Sequence, residues 1–464
     1  MTAGGPPQGS TSREGDDMNA ATNALLTDLY QLNMMQAYLE GGETKTAVFE
    51  LFVRKLPAQR GFLIAAGLEQ ALDFLENLQF STDEIDWLAK SGRFSKQLID
   101  YLAAFRFTGD VHAMPEGTIF FPDEPILRVT APLPQAQLVE TRLMTYLQFQ
   151  SMVAAKAARM VLAAPGKLLV DFGLRRAHSG EAGLWAARAS YLVGFAGTAT
   201  VLAEKLFGIP IFGTMAHSFI EVHDDESVAF ENFARARREN LTLLIDTYDT
   251  EAAARKVAAL APKLKAAGIT VRAVRIDSGD LVALSKTVRR ILDDGGLTDV
   301  GIFVSGGLDE DRLAEFVRAG APIAGYGVGT SLVTSQDAPT LDCAYKLQEY
   351  AGLPRRKRSP GKATLPGRKQ VWRRFGPDGR MIGDVLSAED DRQSGEPLIR
   401  QVMQAGRRLE PLPTLADARA RAAHDLEHLP EALRRLTPGT SYPVEVADAL
   451  QRLAAQVDRR LGPR

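Results

Sequence analysis

Between Leu168 and Gly327 short apolar runs alternate with helix-length amphipathic stretches. The runs are Leu168–Asp171, Ile209–Gly213, Leu241–Asp246, Val271–Asp277, Gly301–Val304 and Ile323–Gly327. The helical pattern falls on Glu181–Val193, Thr198–Phe207, Ser227–Arg238, Glu251–Ala266, Asp280–Leu292 and Asp309–Ala319. Parallel neighbours need a long crossover, and helices of this length supply it. The alternation therefore predicts an α/β fold, with a (β/α) barrel, complete or not, over about 165–335.

The last two runs end in glycine-rich loops. Ser305-Gly306-Gly307 follows one, and Gly327-Val328-Gly329-Thr330-Ser331 closes the other. Such loops expose backbone N–H groups and open onto helix N-termini, an arrangement that binds phosphate. In barrels of this kind the phosphate site is frequently built after the last two strands. The expected ligand is a phosphorylated small molecule.

The remaining strand ends carry polar chemistry too. Asp171-Phe172-Gly173-Leu174-Arg175-Arg176 follows the first, Gly213-Thr214-Met215-Ala216-His217-Ser218 the next, then Asp246-Thr247-Tyr248-Asp249 and Asp277-Ser278-Gly279-Asp280. Catalytic residues of a barrel come from these ends. Arg275 alternates with Val274 and Ile276, so it faces away from them, and an inward arginine needs an anionic partner. Asp246 and Asp277 close apolar runs and need partners as well: ribose hydroxyls, a magnesium ion on a diphosphate, or a buried arginine. Asp280 reads equally as the N-cap of the next helix. Arg175 and Arg176 read as phosphate contacts or as a surface pair, and His217 as catalytic or structural. Tyr30 and Phe172 are core candidates unless a flat ligand must be bound.

Outside this region the reading is coarser. Ala24–Tyr38 is helical, and β-like runs stand at Asp110–Ala113, Gly117–Phe121 and Pro125–Val129. Gln135–Ala164 reads as one or two buried helices. Leu353–Arg374 is basic and broken by prolines, either a solvated loop leading to an outer strand or an electropositive rim. Ala416–Leu436 and Val444–Leu461 read as helices. Residues 1–22 read as a disordered tail, with Met18 a possible alternative start.

Composition narrows the function. Fifty-five basic residues balance 57 acidic ones, which gives no electrostatic case for nucleic-acid or membrane partners. No apolar run is long enough to span a bilayer. A single cysteine, Cys343, excludes an intramolecular disulfide and a Cys-based zinc site, and suits the cytoplasm. No aldolase-type lysine stands at a strand end in these motifs. Ile245–Asp249 only superficially resembles the signature of the nucleotide-salvage phosphoribosyltransferases.

Leu25-Leu26-Thr27-Asp28-Leu29-Tyr30-Gln31, Phe172–Ala177, Gly213–Ser218, Arg275–Leu281 and Gly327–Ser331 occur in that order. Together they closely resemble nicotinate phosphoribosyltransferases, over roughly residues 24–375. The resemblance implies an irregular (β/α) barrel of the type II phosphoribosyltransferases over 131–335. A discontinuous α+β domain would be built from 23–130 and 336–436, with a helical tail over 437–464. It implies nicotinate, phosphoribosyl diphosphate and ATP as substrates, Mg2+ carried by the diphosphate near Asp246, and a homodimer with shared active sites.

It also implies roles. His217 resembles the histidine phosphorylated by ATP. Tyr30, from the neighbouring subunit, and Phe172 resemble the aromatic pair around the pyridine ring. Thr214 and Arg275 resemble the nicotinate contacts. Asp246 and Asp277 resemble the groups near the ribose hydroxyls and diphosphate. Arg175, Ser305, Gly306, Gly307, Gly329 and Thr330 match phosphate contacts. One departure is Thr198-Ala199-Thr200-Val201, where a Ser/Asn-rich stretch is expected; it puts a polar role for Thr200 in doubt. Nicotinamide phosphoribosyltransferases, quinolinate enzymes and a non-catalytic regulator of phosphoribosyl ligands are the alternatives.

Overall fold

The computed structural model describes residues 23–411 and 413–462; the tail and the alternative start proposed within residues 1–22 lie outside it. Its central element is an all-parallel six-stranded sheet. The strand order is Gly197–Thr198, Leu168–Asp171, Gly325–Val328, Gly301–Ser305, Val271–Ile276, Leu241–Leu244. The sheet does not close. Among the described residues it is continued beyond Thr198 only by an isolated bridge to Ile211, so the architecture is a curled half-barrel.

Two expectations are corrected here. Ile209–Gly213 is not a strand: Pro210 has no N–H for a ladder, and only Ile211 bridges. Thr198 lies in a strand rather than a helix, and the helix that follows begins at Val201. The other helices between strands fall close to their predicted places: Gly180–Leu192, Glu226–Ala236, Thr250–Ala266, Leu281–Asp294 and Glu310–Arg318. Asp249, Asp280 and Asp309 cap three of them by accepting backbone N–H bonds, so Asp280 is an N-cap.

A seven-stranded sheet draws on both ends of the chain. Its order is Leu353–Pro354, Cys343–Tyr350, Thr46–Val53, Leu127–Pro132, Asp110–Ala113, Arg400–Gln404, Arg407–Arg408. The helix Glu140–Ala163 separates this sheet from the half-barrel. Val153, Ala154, Ala157 and Met160 enter the half-barrel core; Leu143, Leu147, Met152 and Ala155 enter the other. A helix with buried residues on opposite faces is what two opposing cores require.

The N-terminal helix runs Leu29–Gly41, starting later than its pattern suggested, with Asp28 at the N-cap position. A four-stranded sheet of Glu396–Pro397, Lys369–Phe375, Met381–Ala388 and Val444–Val446 covers the C-terminal side. The predicted all-helical tail is thus corrected. Val444 and Val446 pair in parallel with Asp384–Leu386, as β-branched residues favour, and the helix is Asp448–Leu461. The basic stretch before Lys369 docks this helix: Arg356 pairs with Asp458 and Arg358 donates to the Gly462 carbonyl.

Candidate active site

A cavity of about 410 Å³ opens at the C-terminal ends of the parallel strands. Phe172, Arg175, Arg176, Arg275, Asp277, Ser305, Gly306, Gly307, Gly329 and Thr330 all line it. Residues drawn from four strand ends therefore meet in one place.

Arg275 organises the floor. It is 9% exposed, and its partners account for nearly all its donors. Nε donates to Ser305 Oγ at 2.9 Å, Nη1 to Thr214 Oγ1 at 2.9 Å and the Met215 carbonyl at 3.2 Å, and Nη2 to Asp277 Oδ1 at 3.1 Å. A guanidinium has five N–H donors, so one remains, on Nη2. Ser305 Oγ in turn donates to Asp277 Oδ1. Burial alone would raise the Asp277 carboxyl, but the Ser305 hydroxyl and the Arg275 guanidinium outweigh it, helped by His217. The group is held below the usual carboxylate range.

The glycines are there for close approach. Gly306 has φ +92°, and a Cβ there would stand 2.1 Å from the Asp277 carbonyl oxygen. A Cβ on Gly327 would meet the Phe172 ring at 2.5 Å. Phe172 rests in the gap that Gly327 leaves, with the Arg275 guanidinium 5.7 Å from its ring centre. A flat ligand laid on this ring meets a cation at one edge. The exposed Arg175 and Arg176 complete a rim suited to anions.

His217 begins a short helix, His217–Glu221. Its Nδ1 lies 3.1 Å from Thr247 Oγ1 and its Nε2 3.9 Å from Asp277 Oδ2. The ring is thus backed by Thr247 at Nδ1 and faces the Asp277 carboxylate at Nε2, with the side chain partly exposed. Asp246 takes two bonds on Oδ2, from the Asp277 N–H at 2.9 Å and Ser278 Oγ at 2.6 Å. Its Oδ1 is buried and has no partner among the described residues. Among the described residues no cluster of three or more His, Cys, Asp or Glu side chains is placed to hold a metal by itself.

Sequence reasoning passed over several contributors. Thr247 and Ser278 orient His217 and Asp246; hydroxyl residues next to strand-end carboxylates were the available signal. Asp171 is fully buried beneath Phe172. It accepts from Thr198 Oγ1 at 2.7 Å and from the Gly173 N–H at 2.8 Å, which fixes the loop carrying Phe172 and Arg175. Burial pushes its carboxyl up to about 6, despite those two bonds. Thr198, not Thr200, makes the side-chain bonds of that stretch; Thr200 Oγ1 is buried without a partner among the described residues.

Tyr30 stands apart from this group. It is 46% exposed on the helix Leu29–Gly41, beside Glu140 and Thr141, and does not line the cavity.

A half-barrel of parallel strands, with two phosphate-type loops facing arginines and carboxylates across one cavity, defines an enzyme of the type II phosphoribosyltransferase class. The structure of human nicotinic acid phosphoribosyltransferase matches it with a TM-score of 0.84 at 30% identity, covering 93% of this chain and 100% of that one. A nicotinate-nucleotide pyrophosphorylase from Pyrococcus furiosus matches with a TM-score of 0.71 at 26% identity, covering 87% and 95%. Models of the nicotinate phosphoribosyltransferase N-terminal domain, family and C-terminal domain match residues 25–148, 168–351 and 392–454. Nicotinate phosphoribosyltransferase pncB2 of Mycobacterium tuberculosis is 49% identical over 92% of both chains, and the Bacillus subtilis enzyme 34% identical over 92% of this chain and 93% of its own. The chain belongs to the nicotinate phosphoribosyltransferase family.

Proposed function

We propose that this chain joins nicotinate to phosphoribosyl diphosphate in NAD salvage, forming nicotinate mononucleotide and diphosphate, with ATP hydrolysed to ADP and phosphate in the same cycle. The observation that carries the reading is the Arg275–Asp277–Ser305 triangle. It connects an aromatic seat, Phe172, to the two glycine loops within one cavity.

In this reading the pyridine ring stacks on Phe172, and its carboxylate takes the last Nη2 donor of Arg275 and the Thr214 hydroxyl, which turns to it from the Met215 carbonyl. Gly306, Gly307, Gly329 and Thr330 hold the 5′-phosphate through backbone N–H groups. Asp277, kept ionised by its neighbours, faces the ribose and stabilises positive charge developing at the anomeric carbon. The ring nitrogen attacks with its lone pair and has no proton to lose, so no general base is required. Catalysis is then positioning and electrostatics. Arg175 meets the departing diphosphate.

Mg2+ fits this site as a substrate-borne ion. The orphaned Oδ1 of Asp246 offers one carboxylate oxygen, and Mg2+ is commonly held by one or two carboxylates plus phosphates. When bound it would neutralise diphosphate charge. His217 accepts the phosphoryl group of ATP on Nε2, the nitrogen that faces Asp277 without a hydrogen bond, with Thr247 on Nδ1 orienting the ring and ADP leaving. The exposed Tyr30 caps the pyridine ring of a second copy, which makes the working form a homodimer.

Two measurements test this. Comparing kcat/KM for nicotinate and nicotinamide should favour the acid, and a preference for the amide would sink the assignment. Incubation with γ-labelled ATP should leave an acid-labile, base-stable label that His217→Ala abolishes.

A further inference from the structure

Behind the two glycine loops lies a cluster of five charged side chains, four buried and the fifth, Asp337, partly so, that the chemistry above does not use. Lys156, on the helix Glu140–Ala163, is 3% exposed. Its ammonium stands 2.6 Å from Glu310 Oε2 and 3.0 Å from Asp337 Oδ1. Arg159 Nε donates to Glu310 Oε1 at 2.9 Å, and Arg60 makes a two-pronged pair with Asp337 at 2.9 Å for each prong. Arg60, Lys156 and Arg159 thus face two carboxylates, an excess of one buried positive charge.

The two carboxylates are placed tellingly. Glu310 directly follows Asp309, and Asp337 directly follows Gln336; both preceding residues line the active-site cavity. Glu310 sits just beyond the Gly306-Gly307 loop, and Asp337 beyond the Gly329-Thr330 loop. Among the described residues, Lys156 is the one side chain that pairs with both. A further tie runs between the loops themselves, where Ser331 Oγ donates to the Leu308 carbonyl.

We infer that Lys156 is a positioning residue for the phosphate site: its buried ammonium ties one carboxylate behind each glycine loop and so sets the separation of the two loops. The inference rests on assigning those loops to the 5′-phosphate. Arg60 and Arg159 each hold one carboxylate only, so they anchor single loops, while Lys156 couples the pair. A buried ion pair contributes little net stability but costs much when one partner is removed. Its value lies in geometry. Backbone donors must converge on one phosphate from two loops, and a small change of spacing weakens every bond together.

The test separates phosphate gripping from general integrity. Affinities of nicotinate mononucleotide and nicotinate riboside are measured by calorimetry, with KM for phosphoribosyl diphosphate and for nicotinate, on the full chain and on Lys156→Met. The wild type should prefer the mononucleotide. Lys156→Met should weaken mononucleotide binding and raise KM for phosphoribosyl diphosphate about tenfold or more, about 1.4 kcal/mol per decade. Riboside affinity and KM for nicotinate should stay near wild type, and Lys156→Arg should recover part of the loss. Equal weakening of both ligands, or none, overturns the inference. A wild type that does not distinguish the two ligands overturns the phosphate assignment itself. Should Lys156→Met not fold, Glu310→Gln keeps a neutral acceptor for Arg159 and removes the charge that holds the Lys156 arm. It should show the same selectivity, more weakly, and equal losses there count against the inference.

Discussion

Replacing Arg275 with alanine separates the roles crowded onto the cavity floor. Of its five donors, four are spent on Ser305, Thr214, Met215 and Asp277, so the substrate carboxylate can receive one charge-assisted bond from it, not a two-pronged fork. One such bond is worth about 1.5–3 kcal/mol, or roughly 10- to 150-fold in kcat/KM for nicotinate. The side chain is 11% exposed, so solvent screening reduces this little. Alanine also removes one partner of Asp277, which keeps the Ser305 hydroxyl. Part of the loss will therefore appear in kcat. The assay is steady-state kinetics with nicotinate varied at saturating phosphoribosyl diphosphate and ATP, repeated with ATP varied. KM for nicotinate should rise far more than KM for ATP. Arg275→Lys keeps the charge but not the planar fork, and should fall between wild type and alanine. Equal effects on nicotinate and ATP, or an alanine variant close to wild type, would refute the carboxylate assignment.

Gly327→Ala forces the Phe172 ring to move, because the new methyl would lie 2.5 Å from it; overpacking should cost about 1–3 kcal/mol of stability, and kcat/KM for nicotinate should fall at temperatures where the variant is still folded. Unchanged kinetics would remove Phe172 from the ring seat. Asp171 yields a pH dependence. Its carboxyl is raised from 3.8 to about 6 by burial, so its stabilising contribution is full below about pH 4 and is lost as pH rises through 6, about 3 kcal/mol in all. Denaturant titrations of wild type and Asp171→Asn should therefore diverge across that window, and a constant difference would count against a raised Asp171. Finally, Tyr30→Ala and His217→Ala should each be inactive, yet regain activity when mixed as hybrid dimers, since in the proposed homodimer one of the two shared sites would then be intact. No recovery in verified hybrids would place Tyr30 outside the site.

Much of the site was legible because strand ends are marked locally. An apolar run that stops at Asp246, Asp277 or Ser305 announces both the strand and the polar residue at its mouth. Arg275 was legible as inward-facing because strand periodicity is two and its neighbours are valine and isoleucine. Boundaries were less legible. Ile209–Gly213 has the composition of a strand, but Pro210 withholds a donor. Val444–Val446 merges by composition into the helix after it, and becomes a strand only because an exposed edge at Asp384–Leu386 is there to receive it.

By itself, then, the chain dictated a parallel α/β sheet, two phosphate loops at its end and the roster of ionisable residues around them. These follow from periodicity and turn chemistry, which act within a few residues. Tertiary structure decided the rest. It left the sheet open at Thr198 and Leu241, committed four of the five donors of Arg275, orphaned one oxygen of Asp246 and kept Tyr30 away from the cavity. It also brought Arg60, Lys156 and Asp337 together from distant parts of the chain. Such partnerships depend on which helices and loops pack against each other, and no local pattern encodes that distance.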